Sequence, residues 1–241
     1  MRSFDTTVAS AGADDKGARS MLVMSQTDWF AWHSPYDDPG SLLSRRLAMI
    51  RARLAEALDR CRPGRVQVVS MCAGQGHDIL GVLSRHPRAG DVVARLVESD
   101  PRNAALARQG AAPFAGVEVV EADAGSTDSY AGAVPADIVL ACGVFGNISD
   151  DDIHRTIAAF PSLCAQGAAV IWTRHRLEPD RTSQVRDWFR SAGFAEEAFG
   201  VSDDALMAVG AHRLTGDALP FRAGQYLFRF NGLQAAGRRP R

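Results

Sequence analysis

The sequence predicts a doubly wound α/β fold whose mostly parallel, seven-stranded sheet ends in an antiparallel C-terminal hairpin. From Arg65 onward, short runs of valine, isoleucine, leucine and alanine alternate with segments of helical periodicity. Such alternation is typical of a parallel sheet with helices on both faces, whose strands are apolar throughout. Nearer the C-terminus, two strand-like runs follow one another across a short acidic loop, which indicates the hairpin.

The predicted elements follow the chain in a regular order. A helix begins after Ser41, a favourable N-cap, and ends before Pro63 and Gly64. The parallel strands are predicted near residues 66–71, 92–98, 117–121, 136–142 and 168–173, and the later helices near 76–85, 101–110, 150–163 and 181–191. The hairpin strands are predicted at 194–199 and 206–213, and a last apolar run, 225–230, is expected to extend them.

Four regions are predicted along the 241 residues. Residues 1–20 are polar and lack an apolar signal core, so we interpret them as a disordered leader. Residues 21–64 form a cap segment with the first helix, residues 65–230 form the α/β domain, and residues 231–241 form a basic tail. The arginines of the first helix are expected to form a solvated face; they are Arg45, Arg46, Arg51 and Arg53.

Composition argues against several classes of protein. With 27 Lys and Arg against 28 Asp and Glu, the chain lacks the basic excess of a nucleic-acid-binding protein. No apolar run is long enough for a membrane helix. The four cysteines are far apart and form no CxxC pair, which argues against structural zinc or a disulfide framework. We therefore expect a cytoplasmic protein, a monomer or homodimer, that binds neither membrane nor nucleic acid and holds no metal.

A glycine-rich turn follows the first predicted strand, in the run Val-Gln-Val-Val-Ser-Met-Cys-Ala-Gly-Gln-Gly at residues 66–76. Gly74 and Gly76 lack a Cβ, so a ligand can approach the main chain closely. Glu98 ends the next strand, where an acid binds a ribose diol in dinucleotide-binding folds. The third glycine of that dinucleotide pattern would fall at Ile79, whose bulk argues against NAD.

The order of these motifs resembles that of class I S-adenosylmethionine-dependent methyltransferases over about residues 41–213. The resemblance implies that the chain binds S-adenosylmethionine and releases S-adenosylhomocysteine. It implies a first motif with Ser70, Cys72, Ala73, Gly74 and Gly76 under the methionine part of the cofactor, Glu98 and Ser99 at the ribose, Asp123 and Ala124 at the adenine amino group, and Cys142 and Gly143 near the methyl group.

The first motif departs from the family pattern at two positions. Ser70 stands where the family has an acid, and Cys72 stands where it has its first glycine. The resemblance also leaves open whether Arg45 or Arg46 reaches the cofactor carboxylate. Two acids have simpler alternatives, because Asp123 suits a turn or helix N-cap and Glu98 suits a surface charge at a strand end.

Three clusters are predicted at the acceptor pocket, which in this family is closed by the N-terminal segment and by the loops after the fourth and fifth strands. The first is an aromatic segment with Trp29, Trp32, His33, Tyr36 and Asp37, in which His33 and Tyr36 are candidate catalytic residues. Aromatic side chains of this density can stack on a flat acceptor. The alternative is a hydrophobic plug that packs the segment onto the sheet.

The other two clusters follow predicted strand ends, where ligands bind in parallel sheets. Phe145 and Asn147 follow the fourth strand, as a pocket wall and an orienting amide. Arg174 and His175 end the fifth strand, as a carboxylate-binding residue and a base. Turn chemistry for Asn147 and a solvated strand end for Arg174 and His175 are the alternatives.

The resemblance leads us to expect an S-adenosylmethionine-dependent methyltransferase. The aromatic segment favours a small, aromatic or heteroaromatic acceptor, such as an indole-like molecule, with O, N or C as the nucleophile. Two alternatives stay open: a non-catalytic cofactor-binding protein of the same fold, and an RNA methyltransferase. The balanced charge counts against the RNA enzyme.

Overall fold

The computed structural model describes residues 28–231, apart from the side chains of Trp32 and Asp37. The predicted disordered leader, the beginning of the cap segment and the basic tail beyond residue 231 lie outside the described residues. The described part confirms the predicted fold, a seven-stranded, mostly parallel sheet with an antiparallel hairpin at one edge.

Five helices and seven strands alternate along the described chain, with short 3₁₀ segments between them. The helices are α1 (Leu42–Arg60), α2 (His77–Leu83), α3 (Pro101–Ala111), α4 (Asp150–Ala159) and α5 (Thr182–Ser191). The strands are β1 (Val66–Met71), β2 (Val92–Glu98), β3 (Val117–Glu121), β4 (Ala136–Ala141), β5 (Cys164–His175), β6 (Phe194–Val201) and β7 (Met207–Leu214). The first 3₁₀ segment, Ala31–Asp37, carries most of the predicted aromatic segment.

The strand order in the sheet is β3-β2-β1-β4-β5-β7-β6. Strands β1 to β5 run parallel, and β7 pairs antiparallel with both β5 and β6. The chain winds outward in one direction from β1 and in the other from β4. Ligands bind in such sheets at the carboxyl ends of the strands, where the winding direction reverses. The topology therefore directs attention to the ends of β1 and β4.

Two hydrophobic clusters cover the two faces of the sheet. On one face, α1 and α2 contribute Ile50, Leu54 and Ile79 against alternate residues of the central strands. On the other face, α4 and α5 pack on an aromatic group; its members are Phe145, Phe160, Trp172, Phe189 and Phe194. This double cover explains why the parallel strands carry few polar residues.

Polar side chains mark the beginnings of several helices. Ser41 accepts a hydrogen bond from Ser44 N and caps α1, as predicted. Asp100 caps α3 by accepting from Arg102 N, and Pro101 opens that helix. Ser149 caps α4, whose first turn contains Asp150, Asp151 and Asp152. Each cap satisfies a backbone donor that the first helical turn leaves unpaired.

The last apolar run, residues 225–230, does not extend the hairpin, so that prediction is wrong. It crosses instead over the loops that follow β3 and β4, where single antiparallel bridges join Ser126 to Tyr226 and Ile148 to Phe230. Leu227 N donates to Gly125 O at 2.7 Å, and Leu227 and Phe228 are buried. We call residues 225–231 the C-terminal strap. Its apolar residues pack on the core between these loops, which the strand pattern alone could not show.

Candidate cofactor and acceptor site

A cavity of about 360 Å³ lies at the carboxyl ends of β1, β2 and β4. Small-molecule sites in proteins begin at about this size. Its walls come from the N-terminal 3₁₀ segment, the inner face of α1, the turn after β1, the β2–α3 junction, the end of β4 and the C-terminal strap. The cavity therefore lies where the topology predicts a ligand site.

The turn after β1 has the conformation that a close-approaching ligand requires. Gly74 and Gly76 have φ angles of +57° and +74°, in the left-handed region that glycine adopts without steric cost. Cys72 also has a positive φ, +50°, although it carries a side chain. The position at which the methyltransferase pattern has glycine thus keeps a glycine-like backbone here. Ser70 is buried in β1 and does not line the cavity.

Glu98 ends β2 with its carboxylate buried at the cavity wall. One carboxylate oxygen accepts a hydrogen bond from Gly74 N at 2.7 Å, and the other accepts from Asp100 N at 2.8 Å. Burial raises the pKa of Glu98, and these backbone donors oppose that rise. A carboxylate has about four acceptor positions, so acceptor capacity remains for a ligand after these bonds. Ser99, the next residue, also lines the cavity.

The predicted aromatic segment closes the opposite side of the cavity. Trp29, His33 and Tyr36 line it. Trp29, which precedes the 3₁₀ segment, packs on Phe230 of the strap with ring centroids 5.3 Å apart. Burial lowers the pKa of His33, whose Nδ1 lies 2.6 Å from Trp29 O. A Cβ added to Gly74 would clash with the His33 ring. In this conformation the imidazole therefore covers the glycine turn.

Tyr36 joins Arg46 of α1 in a polar group at the cavity wall, and the sequence left open whether Arg45 or Arg46 reaches the cofactor. Its hydroxyl accepts a hydrogen bond from Arg46 Nη2 at 2.7 Å, and burial raises its pKa. Arg46 is only 4% exposed and lines the cavity, so the prediction of a fully solvated arginine face is wrong at this position. Arg45 fits that prediction better, because it is exposed and forms an ion pair with Asp204.

Asp78 is a cavity residue that sequence reasoning missed. It lies in the first turn of α2 and lines the cavity near Cys142, and burial raises its pKa. Its carboxylate accepts from Ile79 N at 2.7 Å. Helical spacing identifies the inward face of α1, and that signal could have singled out Arg46 beside Leu47 and Ile50. No pattern in the sequence distinguishes Asp78 from an ordinary first-turn acid.

Asp123 and Ala124 do not line the cavity. The Asp123 carboxylate accepts hydrogen bonds from Gly125 N, at 2.8 Å, and from the Tyr226 hydroxyl of the strap. Burial, followed by this bond to Asp123, raises the pKa of Tyr226 to about 12. In this structure the predicted adenine acid is thus bound to the chain's own C-terminal strap.

The loops after β4 and β5 contribute little to the cavity. Cys142 and Gly143 line it, but Phe145 is fully buried in the aromatic core. Asn147 Nδ2 donates to Gly143 O at 2.7 Å and so stabilises its own loop. These contacts correspond to the turn chemistry that was the alternative for Asn147.

Arg174 and His175 also lie outside the cavity wall. Arg174 is 8% exposed, donates to Phe145 O and lies 3.8 Å from an Asp150 carboxylate oxygen. His175 is half-buried against Gly146, and burial lowers its pKa. Neither side chain is a solvated strand end, because both pack beneath the β4–α4 loop.

The side chains of Trp32 and Asp37, both predicted to bind the acceptor, lie outside the described residues. Among residues 28–231, no group of three or more His, Cys, Asp or Glu side chains is positioned to hold a metal ion. Within the same range, no helix is long and apolar enough to cross a membrane.

No protein-family model and no curated relative matches this sequence. Solved structures do match. Magnesium protoporphyrin IX methyltransferase from Synechocystis PCC 6803, solved with bound SAM, superposes with a TM-score of 0.60 at 14% identity, over 85% of this chain and 99% of that one. The N-methyltransferase NodS from Bradyrhizobium japonicum WM9 gives a TM-score of 0.55 at 14% identity, over 75% and 99%.

A possible exported protein from Bordetella parapertussis gives a TM-score of 0.59 at 18% identity, over 84% of each chain. At such identities the likeness shows the fold. The chain therefore has the fold of class I S-adenosylmethionine-dependent methyltransferases, as the sequence resemblance predicted, and many of its structural neighbours are methyltransferases. The cytoplasmic location stays a prediction.

Proposed function

We propose that the chain is a methyltransferase that uses S-adenosylmethionine to methylate a small, flat acceptor. The observation that carries the proposal is that Gly74 and Glu98 line one cavity at the switch point of the sheet. A glycine turn and a strand-end acid that converge in this way bind nucleosides in α/β sheets. The fold supports S-adenosylmethionine as the cofactor, because magnesium protoporphyrin IX methyltransferase, one of the structural neighbours, was solved with SAM and with SAH.

The residues present fit a nucleoside joined to an amino acid. The turn offers backbone without side chains, and the Glu98 carboxylate keeps acceptor capacity for a ribose diol. Buried Asn103 also lines the cavity, and its amide nitrogen makes no hydrogen bond within residues 28–231. The misfit is His33, which covers the turn and must turn aside when a ligand lies against Gly74.

When bound, the cofactor would supply an electrophilic methyl group on a positively charged sulfur. The chain's part is then to align the acceptor, to exclude water and to accept a proton if the acceptor starts protonated. Trp29, Tyr36 and Phe230 provide aromatic surface for a flat acceptor. Burial lowers the pKa of His33, which favours the neutral imidazole, and His33 in the cavity wall is the candidate base.

The acceptor is proposed to enter from the side of the N-terminal 3₁₀ segment. On that side the cavity wall is aromatic, whereas Phe145 and Arg174 are tied into the core behind the β4 and β5 loops. The predicted aromatic or heteroaromatic acceptor, indole-like or otherwise, stays a proposal that this aromatic wall supports. A cytoplasmic location is proposed with it, because the four cysteines are free.

A binding experiment tests the proposal first. Thermal melting with S-adenosylhomocysteine should raise Tm, whereas NAD should leave it unchanged; the reverse pattern would overturn the proposal. Methyl transfer from labelled S-adenosylmethionine to a panel of indoles, phenols and heterocyclic amines then tests catalysis. Removal of residues 1–40 should abolish that transfer, and intact turnover would exclude a role for the aromatic wall.

A non-catalytic nucleoside-binding protein is the second candidate. The observation in its favour is that the loop residues Phe145, Asn147 and Arg174, expected at an acceptor pocket, are all engaged by the chain itself. This candidate predicts tight binding of S-adenosylhomocysteine with no methyl transfer to any acceptor in the panel. Transfer to one acceptor would exclude it.

A further inference from the structure

We propose that Asn103 recognises the ribose of the bound nucleoside and is held in the required orientation by a hydrogen-bond chain from His77 through Gln75. This inference rests on the proposed function, because it assigns a role in binding the nucleoside half of S-adenosylmethionine. The sequence assigned no role to Asn103 or His77, nor to Gln75, which lies between the two glycines of the turn.

Asn103 is buried at the wall of the cavity, and only one of its two amide atoms, the oxygen, has a hydrogen-bond partner. It lies in the first turn of α3, five residues after Glu98, and is 1% exposed. Its Oδ1 accepts a hydrogen bond from Gln75 Nε2 at 3.1 Å, but its Nδ2 has no partner within residues 28–231. A buried donor without a partner destabilises a folded protein. Such a cost is expected where a ligand supplies the missing acceptor.

The direction of the Asn103 amide follows from its neighbours. His77 Nε2 lies 3.1 Å from Gln75 Oε1, and the Gln75 amide nitrogen faces Asn103 Oδ1. With His77 Nε2 as donor, Gln75 accepts at its oxygen and must donate from its nitrogen. Asn103 then accepts from Gln75 and presents its own nitrogen. Gln75 and His77 are thus positioning residues that fix which end of Asn103 a ligand meets.

The chemistry of this strand end matches a ribose diol. Each ribose hydroxyl can donate one hydrogen bond and accept others. The Glu98 carboxylate can only accept, whereas Asn103 Nδ2 can only donate. Both line the same cavity at the β2–α3 junction. An acceptor and a donor side by side satisfy both capacities of the hydroxyls, which a carboxylate alone does not.

The hydrogen-bond chain from His77 to Asn103 also connects the two halves of the cavity. His77 lies among the aromatic residues of the acceptor side, with its ring centroid 5.0 Å from that of Tyr36 and 6.2 Å from that of His33. Gln75 lies in the glycine turn between this group and Asn103. A change in the hydrogen-bonding state of His77 is therefore expected to alter ribose recognition at the other end.

The test is calorimetric binding of S-adenosylhomocysteine, adenosine and 2′,3′-dideoxyadenosine to the full chain. In the wild type, loss of the two hydroxyls should weaken adenosine binding. Asn103→Leu should weaken binding of S-adenosylhomocysteine and adenosine by the same factor, about tenfold, because one hydrogen bond is lost. It should leave the dideoxynucleoside within twofold of the wild type, since that ligand lacks the partner of Asn103.

Gln75→Glu tests the hydrogen-bond chain without touching the ribose. A carboxylate at this position cannot donate to Asn103 Oδ1, so the Asn103 amide must turn and present its oxygen. We expect adenosine binding to fall about as much as in Asn103→Leu, whereas Gln75→Leu should cost only two- to threefold. Adenosine is uncharged, which minimises direct effects of the new charge. Gln166→Glu, at an exposed position remote from the cavity, is the matched control.

The outcomes separate this inference from the proposed function. If the wild type binds S-adenosylhomocysteine but both Asn103→Leu and Gln75→Glu bind it as tightly, the role of Asn103 is wrong and the proposed function stands. If the variants weaken the dideoxynucleoside as much as adenosine, Asn103 does not recognise the ribose. If the wild type binds none of these ligands, the proposed function itself fails. Gln75 is half-buried in a turn, so its variants keep the test open should Asn103→Leu not fold.

Discussion

The carboxyl ends of β1 and β2 differ sharply from those of β3 and β5, although similar polar residues stand at both. At β2, Glu98 binds two backbone donors and keeps capacity toward the cavity, and Asn103 keeps an unpaired donor. After β3, Asp123 is bound by Gly125 and by Tyr226 of the C-terminal strap. At β5, Arg174 is tied to Phe145 O beneath its loop.

The difference teaches that the residue type at a strand end does not by itself identify a binding residue. What distinguishes the two regions is the hydrogen-bonding capacity that the chain leaves unused. The ends of β1 and β2 leave acceptors and a donor facing a cavity, whereas the end of β3 is covered by the strap and the end of β5 is held in the aromatic core. We therefore expect changes at the first end to alter ligand binding and changes at the second to alter stability.

Glu98→Ala should have the largest effect. It removes an ionised acceptor from the proposed ribose contact and leaves two backbone N–H groups without their partner. Hydrogen bonds to charged groups contribute about 1.5–3 kcal/mol each. We expect the Kd for S-adenosylhomocysteine to rise about a thousandfold in calorimetry.

Asp123→Asn is the control for Glu98→Ala, because its carboxylate is already bound to the strap. The Kd of this variant for S-adenosylhomocysteine should change less than threefold. A loss of affinity comparable to that of Glu98→Ala would instead support the sequence-based prediction that Asp123 binds the adenine amino group, and would break the contrast between the two strand ends.

The next largest effect is a pH dependence of stability that comes from β7, outside the cavity. His212 of β7 is 1% exposed, accepts from Trp172 Nε1 at 3.1 Å and stacks on Phe189. Burial lowers the pKa of His212 to about 4, although Glu196 opposes this shift. An unfolded histidine has a pKa near 6.5, so between these values the unfolded state binds more protons. The free energy of unfolding should therefore fall as the pH drops from about 6.5 to about 4.

This loss should reach about 3 kcal/mol in the free energy of unfolding, measured by urea titration at several pH values. His212→Gln keeps a hydrogen-bond acceptor for Trp172 and should flatten that part of the pH profile. Binding of S-adenosylhomocysteine should not follow the same profile, since His212 lies away from the cavity. An unchanged slope in His212→Gln would show that another group titrates.

Tyr226→Phe should have a smaller effect, confined to stability. It removes the hydroxyl that binds Asp123 but keeps the ring on the strap. Because the residue is partly exposed, the free energy of unfolding should fall by about 1 kcal/mol or less. The Kd for S-adenosylhomocysteine should stay within twofold of the wild-type value. A large change in affinity would mean that Tyr226, like Phe230 of the strap, belongs to the binding site.

The smallest expected effect is that of His33→Ala on the rate of ligand binding. Because the His33 ring covers Gly74, removing it should raise the association rate constant for S-adenosylhomocysteine a few-fold in stopped-flow fluorescence. His175→Ala is the matched control, since that histidine does not line the cavity. A slower association in His33→Ala would indicate that His33 contacts the ligand instead of covering its site.

Much of the fold could be predicted because periodicity and apolar runs determine it locally. The parallel strands and the hairpin lie close to their predicted positions, and Gly74 has the predicted freedom of conformation. The path of the strap could not be predicted, since residues 225–230 read like any apolar strand. Asn103 and Asp78 could not be assigned either, because only tertiary packing shows which polar residues of a helix face a cavity.

The most direct test is a crystal structure of the chain with S-adenosylhomocysteine. We expect the ribose hydroxyls within 2.7–3.2 Å of the Glu98 carboxylate and of Asn103 Nδ2, with the ligand against the backbone of Gly74 and His33 turned away from it. Asp123 should still be bound to Tyr226. Density for the nucleoside beside Asp123 with the strap displaced, or no bound ligand at saturating concentration, would contradict the proposed site.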